Sequence, residues 1–309
     1  MRIAIICAAF VALAGTALAD TPLTPEQQAQ EAKEKAILAS LRPLHGDVAV
    51  PGTNATLHLG TDYRYLPPDQ ARKVLVDVWH NSPEAVSDEL GLVYPTDEAQ
   101  TWAAIVTYTN DGYVSDSDAK STDYGKLIQQ AKDNQPEVNA QRKAEGLEPI
   151  DVIGWAQPPY YDQPHHTLVW ARELKFGNQT DNTLNYDMRA LGRGGVLSMN
   201  ILSNMSKIAE VRVAANRLQN VGTFNPGARY TDYKAGSDKK ADYGIAGLVA
   251  AGIGVVVAKK LGLLAVGLVF FKKFLALIVA GFAGGAAWLR RLFGKKDPPA
   301  AAPPALPGS

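Results

Sequence analysis

The sequence has one cysteine, Cys7, and it falls inside an apolar N-terminal run. Once that run is removed the chain holds no thiol, which excludes disulfides, thiolate nucleophiles and cysteine metal sites together. An excess of charge of either sign is also missing, since 31 Lys and Arg stand against 31 Asp and Glu over 309 residues. A domain that seeks phosphates carries a basic surplus, so nucleic acid is not expected as a partner. No Gly-x-Ser-x-Gly elbow or Walker loop is present. The five histidines, His45, His58, His80, His165 and His166, form neither HExxH nor an H-x(3–5)-H pair. His165 and His166, adjacent at the start of a strand, point to opposite faces and do not easily share one ion. No cofactor and no metal is therefore expected.

What is present is uneven. Apolar residues make up 46% of the chain and charged residues 20%, enough for a packed core. Met1-Arg2, an apolar stretch from Ile3 to Leu13 and the ending Ala17-Leu18-Ala19 read as a signal peptide over residues 1–19, which sends the body out of the cytoplasm. At the other end, the only charges between Ile245 and Leu289 are the pairs Lys259-Lys260 and Lys272-Lys273. Residues 244–293 are expected to anchor the chain in the bilayer, as a transmembrane helix or a helical hairpin. The blocks Ile245–Ala258, Leu261–Phe271 and Phe274–Leu289 are each shorter than the roughly 20 residues of a standard span. One crossing with a membrane-hugging piece, a two-crossing hairpin and a buried soluble core are the alternatives. Arg290, Arg291, Lys295 and Lys296 place the tail in the cytoplasm, and the Pro/Ala composition of 294–309 cannot pack. The expected location is thus a membrane, with the body on its extracytoplasmic side and the tail in the cytoplasm.

Residues 20–44 are expected to form a solvated helix or linker, and 45–243 an α+β domain. Ala71, Val74, Leu75 and Val78 recur at helical spacing behind Pro67-Pro68, and residues 101–109 are β-branched and aromatic enough for a buried strand. Residues 122–134 and 136–145 are helical by composition. Residues 150–203 look like an antiparallel meander. With Gly192-Arg193 as a two-residue turn, Asp187 would oppose Ser198 and Asn185 would oppose Asn200, giving one apolar face and one polar, solvated face. An amphipathic helix with Ile208, Val211, Ala215 and Leu218 follows, with Ser206 as its N-cap. Without a repeated βαβ pattern this is an antiparallel sheet with packed helices.

Several segments resemble a family. The run from Asp111 to Ala119 (DGYVSDSDA), Gly154-Trp155 with Pro159-Tyr160-Tyr161-Asp162, and Leu168-Val169-Trp170-Ala171 are similar to motifs of the bacterial membrane-anchored proteins grouped as DUF2167. So are Leu184-Asn185-Tyr186 with Arg189, Leu191-Gly192-Arg193 with Gly195-Val196-Leu197, and Gly227, Arg229, Tyr230, Asp232 and Tyr233 leading to Asp238-Lys239. The similarity extends over roughly residues 45–290. It implies an exported, membrane-anchored domain of unknown biochemical activity, placed in the bacterial inner membrane with a periplasmic body, and supplies no catalytic residue.

Asp111, Asp116 and Asp118 invite a calcium-loop reading, but EF-hand spacing is absent and a turn in which Asp111 caps Gly112 while the others face solvent is preferred. The strongest candidate for ligand binding is the polar strand face of Asn185, Asp187 and Arg189 with Ser198 and Asn200, joined by Trp155, Tyr160, Tyr161, Asp162, His166, Trp170 and Arg193. Aromatic rings beside amide, carboxylate and guanidinium groups suit a glycan or a peptide. A binding module with an envelope protein or cell-wall partner, held to the lipid bilayer by 244–293, is the leading expectation. A hydrolase using Asp162 or Asp187 with His166, and an assembly protein using Gly281, Gly284 and Gly285, are the alternatives.

Overall fold

The computed structural model describes residues 25–255 apart from 82, 84, 85, 98, 101, 145, 147, 178 and 179. The expected signal peptide, the stretch from 256 to 293 with its three glycines, and the 294–309 tail lie outside the described residues. In chain order the elements are α1 (Pro25–Ser40), β1 (Asp47–Ala49), β2 (Ala55–His58), β3 (Tyr63–Leu66), α2 (Pro68–Lys73), β4 (Glu89–Pro95), β5 (Ala103–Thr109) and β6 (Tyr113–Ser115). There follow α3 (Tyr124–Asp133), α4 (Gln135–Ala144), β7 (Ile150–Asp162), β8 (Thr167–Phe176), β9 (Thr183–Leu191), β10 (Val196–Asn204), α5 (Ile208–Leu218), β11 (Gly222–Phe224), β12 (Lys240–Gly244) and α6 (Ile245–Gly252). The fold is α+β, as the lack of a repeated βαβ pattern implies.

Seven strands form an antiparallel sheet in the order β3-β4-β5-β10-β9-β8-β7. The meander β7-β8-β9-β10 supplies four of them, so hairpin-linked neighbours in sequence are neighbours in space. A small sheet, β1-β2-β11, and the amphipathic face of α5 cover one side. Leu57, Leu59, Val169, Tyr186, Met188, Met199, Val211 and Leu218 meet there. On the other side α1 and α2 cover the β3-β4-β5 end, where Leu66, Val74, Leu75, Leu92 and Ile105 pack. The β8-β9 region is covered by α3, α6 and the parallel pair β12-β6. Pro67 and Pro68 open α2 as expected, because a proline in the first helical turn gives up no needed hydrogen bond. The helix continues into a π-helical turn at Val74–Val78, closed by Trp79 N–H on the Val74 carbonyl.

Three expectations are corrected. The β9–β10 connection is four residues, Gly192–Gly195, so Asp187 opposes Asn200 and Ser198 opposes Arg189. The register slips by two, an even number, so each residue keeps the face assigned to it. That face is not solvated, however, because α6 and its neighbours close over it. Asn185 and Asp187 are 0% exposed and Asn200 3%. Finally, Ser206 does not cap α5: a 3-10 turn over Met205–Lys207 precedes the helix, and the Ser206 hydroxyl donates to Asp181 at 2.9 Å.

The described part of the first apolar block, residues 245–255, packs into the domain. Ile245, Leu248, Val249, Ala250, Ile253 and Val255 are buried against Trp170, Leu168 and Ile128. Eight residues at about 1.5 Å each make α6 about 12 Å long, well short of a bilayer. Among the described residues no helix is long and apolar enough to cross a membrane.

Candidate functional site

The segments singled out in the sequence converge on one end of the large sheet, although they come from far apart in the chain. The loop after β5, the β7–β8 turn, the β9–β10 turn and the stretch from 225 to 244 meet there. The Tyr243 hydroxyl donates to Asp111 at 2.6 Å across 132 positions. Arg193 forks onto Asp238, with Nε and Nη2 at 2.7 and 2.8 Å from the carboxylate, while its Nη1 donates to the Gly227 carbonyl. This pairing holds Asp238 below the ordinary carboxylate range.

A stack of aromatic rings forms the middle of this rim. Tyr113 lies against Tyr233 at 3.9 Å between centroids and against Tyr230 at 4.6 Å, and Tyr230 in turn covers His166 at 4.4 Å. His166 sits in the left-handed backbone region, φ 49°, where the β7–β8 turn reverses, and its Nδ1 is 3.0 Å from the Tyr161 hydroxyl. Burial, hydrogen bonding to Asp116 and the negative charge nearby raise the Tyr161 pKa above its ordinary value. Burial and a hydrogen bond with Tyr113 do the same for Tyr230. Both phenols therefore stay neutral at physiological pH.

Two clefts flank the stack. One, of about 340 Å³, is bounded by Asp116, Lys120, Tyr124, Tyr160, Tyr161 and Gln163. The other, of about 400 Å³, lies between Tyr108, Asn110, Arg193, Phe224 and Asp238, with the backbone of Gly194 and Gly227 in its wall.

The candidate residues fall into three places. Tyr160, with Tyr161 beside it, borders the first cleft; Asp162 and His166 lie on the turn next to it, and Trp155 backs it through a hydrogen bond from its indole to the Tyr124 carbonyl at 3.1 Å. Arg193 borders the second cleft. Trp170, Asn185, Asp187 and Arg189 are sealed inside, under α6.

In that interior Arg172 Nη2 donates to Asn185 at 2.7 Å, Asn185 donates to Asn200, and the Arg189 guanidinium lies 4.8 Å over the Trp170 ring. Asp187 Oδ1 is 3.5 Å from Arg189 Nη2, an ion pair without a well-formed hydrogen bond. Burial pushes the Asp187 pKa up, against the pull of Arg189 and Arg172, and lowers Arg172 to about 10.

The hydrolase constellation is not assembled. Asp162 pairs with His165 at 2.9 Å, His166 with Tyr161, and Asp187 opposes Trp170 and Asn200 in mid-sheet. The aspartate loop also differs from expectation. Asp111 accepts from Tyr243, and Asp118 accepts from the amides of Ile245 and Ala246 instead of facing solvent. Among the described residues no group of three or more His, Cys, Asp or Glu is placed to hold a metal ion. The ring stack of Tyr113, Tyr230 and Tyr233 and the buried Arg172 were not in the candidate set. The tyrosines stood within the motifs carrying the resemblance, and Arg172 is two positions after Trp170, hence on its face.

Residues 42–283 match the family described as "Protein of unknown function (DUF2167)". The chain belongs to the DUF2167 family. The rim described above lies wholly within the matched region. A comparison with curated proteins finds no match. Among solved structures this DUF2167 chain is similar to the solution structure of cyanobacterial PsbP (CyanoP) from Synechocystis sp. PCC 6803. The identity is 8%, over 60% of this chain and 94% of that one, with a TM-score of 0.33, which is too slight a likeness to assign a shared fold.

Proposed function

We propose that this DUF2167 protein is an extracytoplasmic binding module, tethered to the inner membrane through apolar sequence after Val255, that recognises a peptide- or glycan-bearing component of the bacterial envelope. The observation that carries the reading is the rim itself. Four segments separated by up to 132 residues are held together by Tyr243–Asp111, Arg193–Asp238 and the contact of His166 with Tyr230, and they frame two clefts lined by tyrosines, amides and charged groups. Rings with tethered hydroxyls give flat, rigid contact area at little entropic cost, which suits recognition better than a mobile polar surface. The signal-peptide pattern before Asp20 and the Lys/Arg-flanked apolar run support the export and the tether.

Two measurements test this. In spheroplasts carrying a tag after Ser309, added protease should digest the body and spare the tag; protection of the body would overturn the export reading. The detergent-solubilised full chain should co-sediment with purified cell-wall sacculi, and Tyr160→Ala should reduce the retained fraction. Absence of retention, or equal retention of the variant, would overturn the binding reading.

A further inference from the structure

We infer that the cleft between Tyr108, Arg193 and Lys239 binds the terminal carboxylate of an envelope peptide. This inference rests on the binding reading above and assigns its ligand class.

The hydrogen bonds already made in this cleft use up its carboxylate and leave donors over. One oxygen of Asp238 accepts from Arg193 Nε and from the Lys234 amide, both at 2.7 Å; the other accepts from Arg193 Nη2 at 2.8 Å and has the Ser237 hydroxyl at 3.3 Å. A carboxylate accepts about four hydrogen bonds, so Asp238 has no capacity left for a cation. The two cations of the lining are not spent. Arg193 commits two N–H groups to Asp238 and one to the Gly227 carbonyl, and Lys239 commits one to the Asn110 carbonyl at 3.3 Å; both keep further N–H groups free. These bonds also place both cationic heads at the wall, because Asp238, Gly227 and Asn110 all border the cleft. The Arg193 side chain is 31% exposed and that of Asp238 13%, so the guanidinium is the open half of the pair. Asp232, outside the lining, accepts from the amides of Gly227 and Arg229. What remains is a net positive charge with unfilled donors, which complements a monoanion.

The wall around these donors suits a small terminal group. Tyr108 and Phe224, with ring centroids 6.3 Å apart, give it an apolar side. The Tyr108 hydroxyl, which has no hydrogen-bond partner among the described residues, stands beside Gly194. Neither a left-handed backbone nor a close neighbour requires glycine at 194, since a Cβ built there meets only that hydroxyl, at 3.9 Å. The adjacent glycines differ: a Cβ on Gly192 would stand 2.6 Å from the Phe224 ring, and one on Gly195 2.2 Å from the Thr109 carbonyl oxygen. A side chain at 194 would thus take up space in the cleft without disturbing the packing around it. A volume of about 400 Å³ accommodates one terminal residue, with its carboxylate on the donors and its carbon side chain on the rings. A phosphodiester carries the same charge, but it is flanked by ester oxygens and would leave the rings unused.

Sacculi supply the test, because their peptide stems carry free carboxylates that a water-soluble carbodiimide with excess methylamine converts to amides while leaving the glycan intact. The full chain should co-sediment with untreated sacculi, lose most of that retention on amidated sacculi, and be displaced by excess N-acetyl-alanine but not by N-acetyl-alanine amide. Lys239→Gln should weaken retention about tenfold, as expected for loss of a charge-assisted hydrogen bond. Gly194→Leu should abolish retention with the urea midpoint unchanged, a separation that a merely structural role for this glycine does not give. Full retention by both variants, or equal retention on amidated sacculi, would overturn the carboxylate assignment and leave the binding reading standing. Displacement by dimethyl phosphate as efficient as by N-acetyl-alanine would overturn it in favour of a phosphodiester. No retention on either kind of sacculi would overturn the binding reading and the assignment with it.

Discussion

Asp118 accepts hydrogen bonds from the backbone amides of Ile245 and Ala246, at 2.9 and 3.0 Å, across 127 and 128 positions of sequence. Gly244, the residue at the helix N-cap, has no side chain for the purpose, so a carboxylate from the loop after β6 satisfies the first amides of α6. The negative charge also complements the positive end of the helix dipole.

Asp118→Ala is therefore expected to cost about 0.5–2 kcal/mol, the range for loss of a helix cap, and to speed amide exchange from 245 to 253 ahead of the rest of the domain. Asp118→Asn, which keeps one acceptor, should fall between. Uniform protection across the domain in the Ala variant would show that α6 is held by packing alone.

Gly252 lies where α6 crosses Trp170. A Cβ built there would stand 2.7 Å from Trp170 Cζ2 and 2.8 Å from Arg189 Nη2, and the indole is fully buried. Helix propensity favours alanine over glycine by about 1 kcal/mol. The contact should reverse that sign, with Gly252→Ala destabilising by about 1–3 kcal/mol in denaturant titrations. The double variant with Trp170→Leu should lose less than the sum of the single losses, since the clash is removed; strict additivity would count against the contact.

The elements legible in the sequence are those whose pattern is local. The helix over Ala71, Val74 and Val78 and the β7–β10 meander follow from periodicity, and the family was legible from its motifs. Burial of the Asn185, Asp187 and Arg189 face was not, because alternation shows that two faces differ and is silent on what covers each. The cover, α6, read as membrane anchor because a core helix and the start of an apolar span have the same composition. The rim was half legible: Tyr160, Asp162, His166 and Arg193 drew notice as individual polar or aromatic residues. The stack of Tyr113 on Tyr230 and Tyr233 depends on contacts more than 110 residues apart, which no local pattern encodes.

The Arg193–Asp238 pair gives a pH prediction. Arg193 holds the Asp238 pKa below its ordinary 3.8, so the unfolded chain takes up this proton first as pH falls. The stabilisation is present above pH 3.8 and is lost progressively below it. Arg193→Met should therefore lower the urea midpoint at pH 7, and the gap from the parent should narrow toward pH 3. Parallel midpoint curves would exclude the linkage.

Asp187 has the opposite sign. Burial raises its pKa above 3.8, so the folded protein keeps a proton that the unfolded chain has already released. Its contribution is largest below pH 3.8 and declines as pH rises through the folded-state value. The Asp187 carboxyl is the acidic partner of Arg172 and Arg189, both almost without solvent. Asp187→Leu leaves the buried Arg172 and Arg189 without their acidic partner and is expected to cost about 3–5 kcal/mol at pH 7. Replacing the whole set, Arg172→Met with Asp187→Leu and Arg189→Met, removes the uncompensated charges along with their partner. The triple variant should then be more stable than Asp187→Leu alone. A triple variant less stable than the single one, measured in the same denaturant series, would mean that the guanidinium groups contribute more through Asn185 and Trp170 than they cost in desolvation.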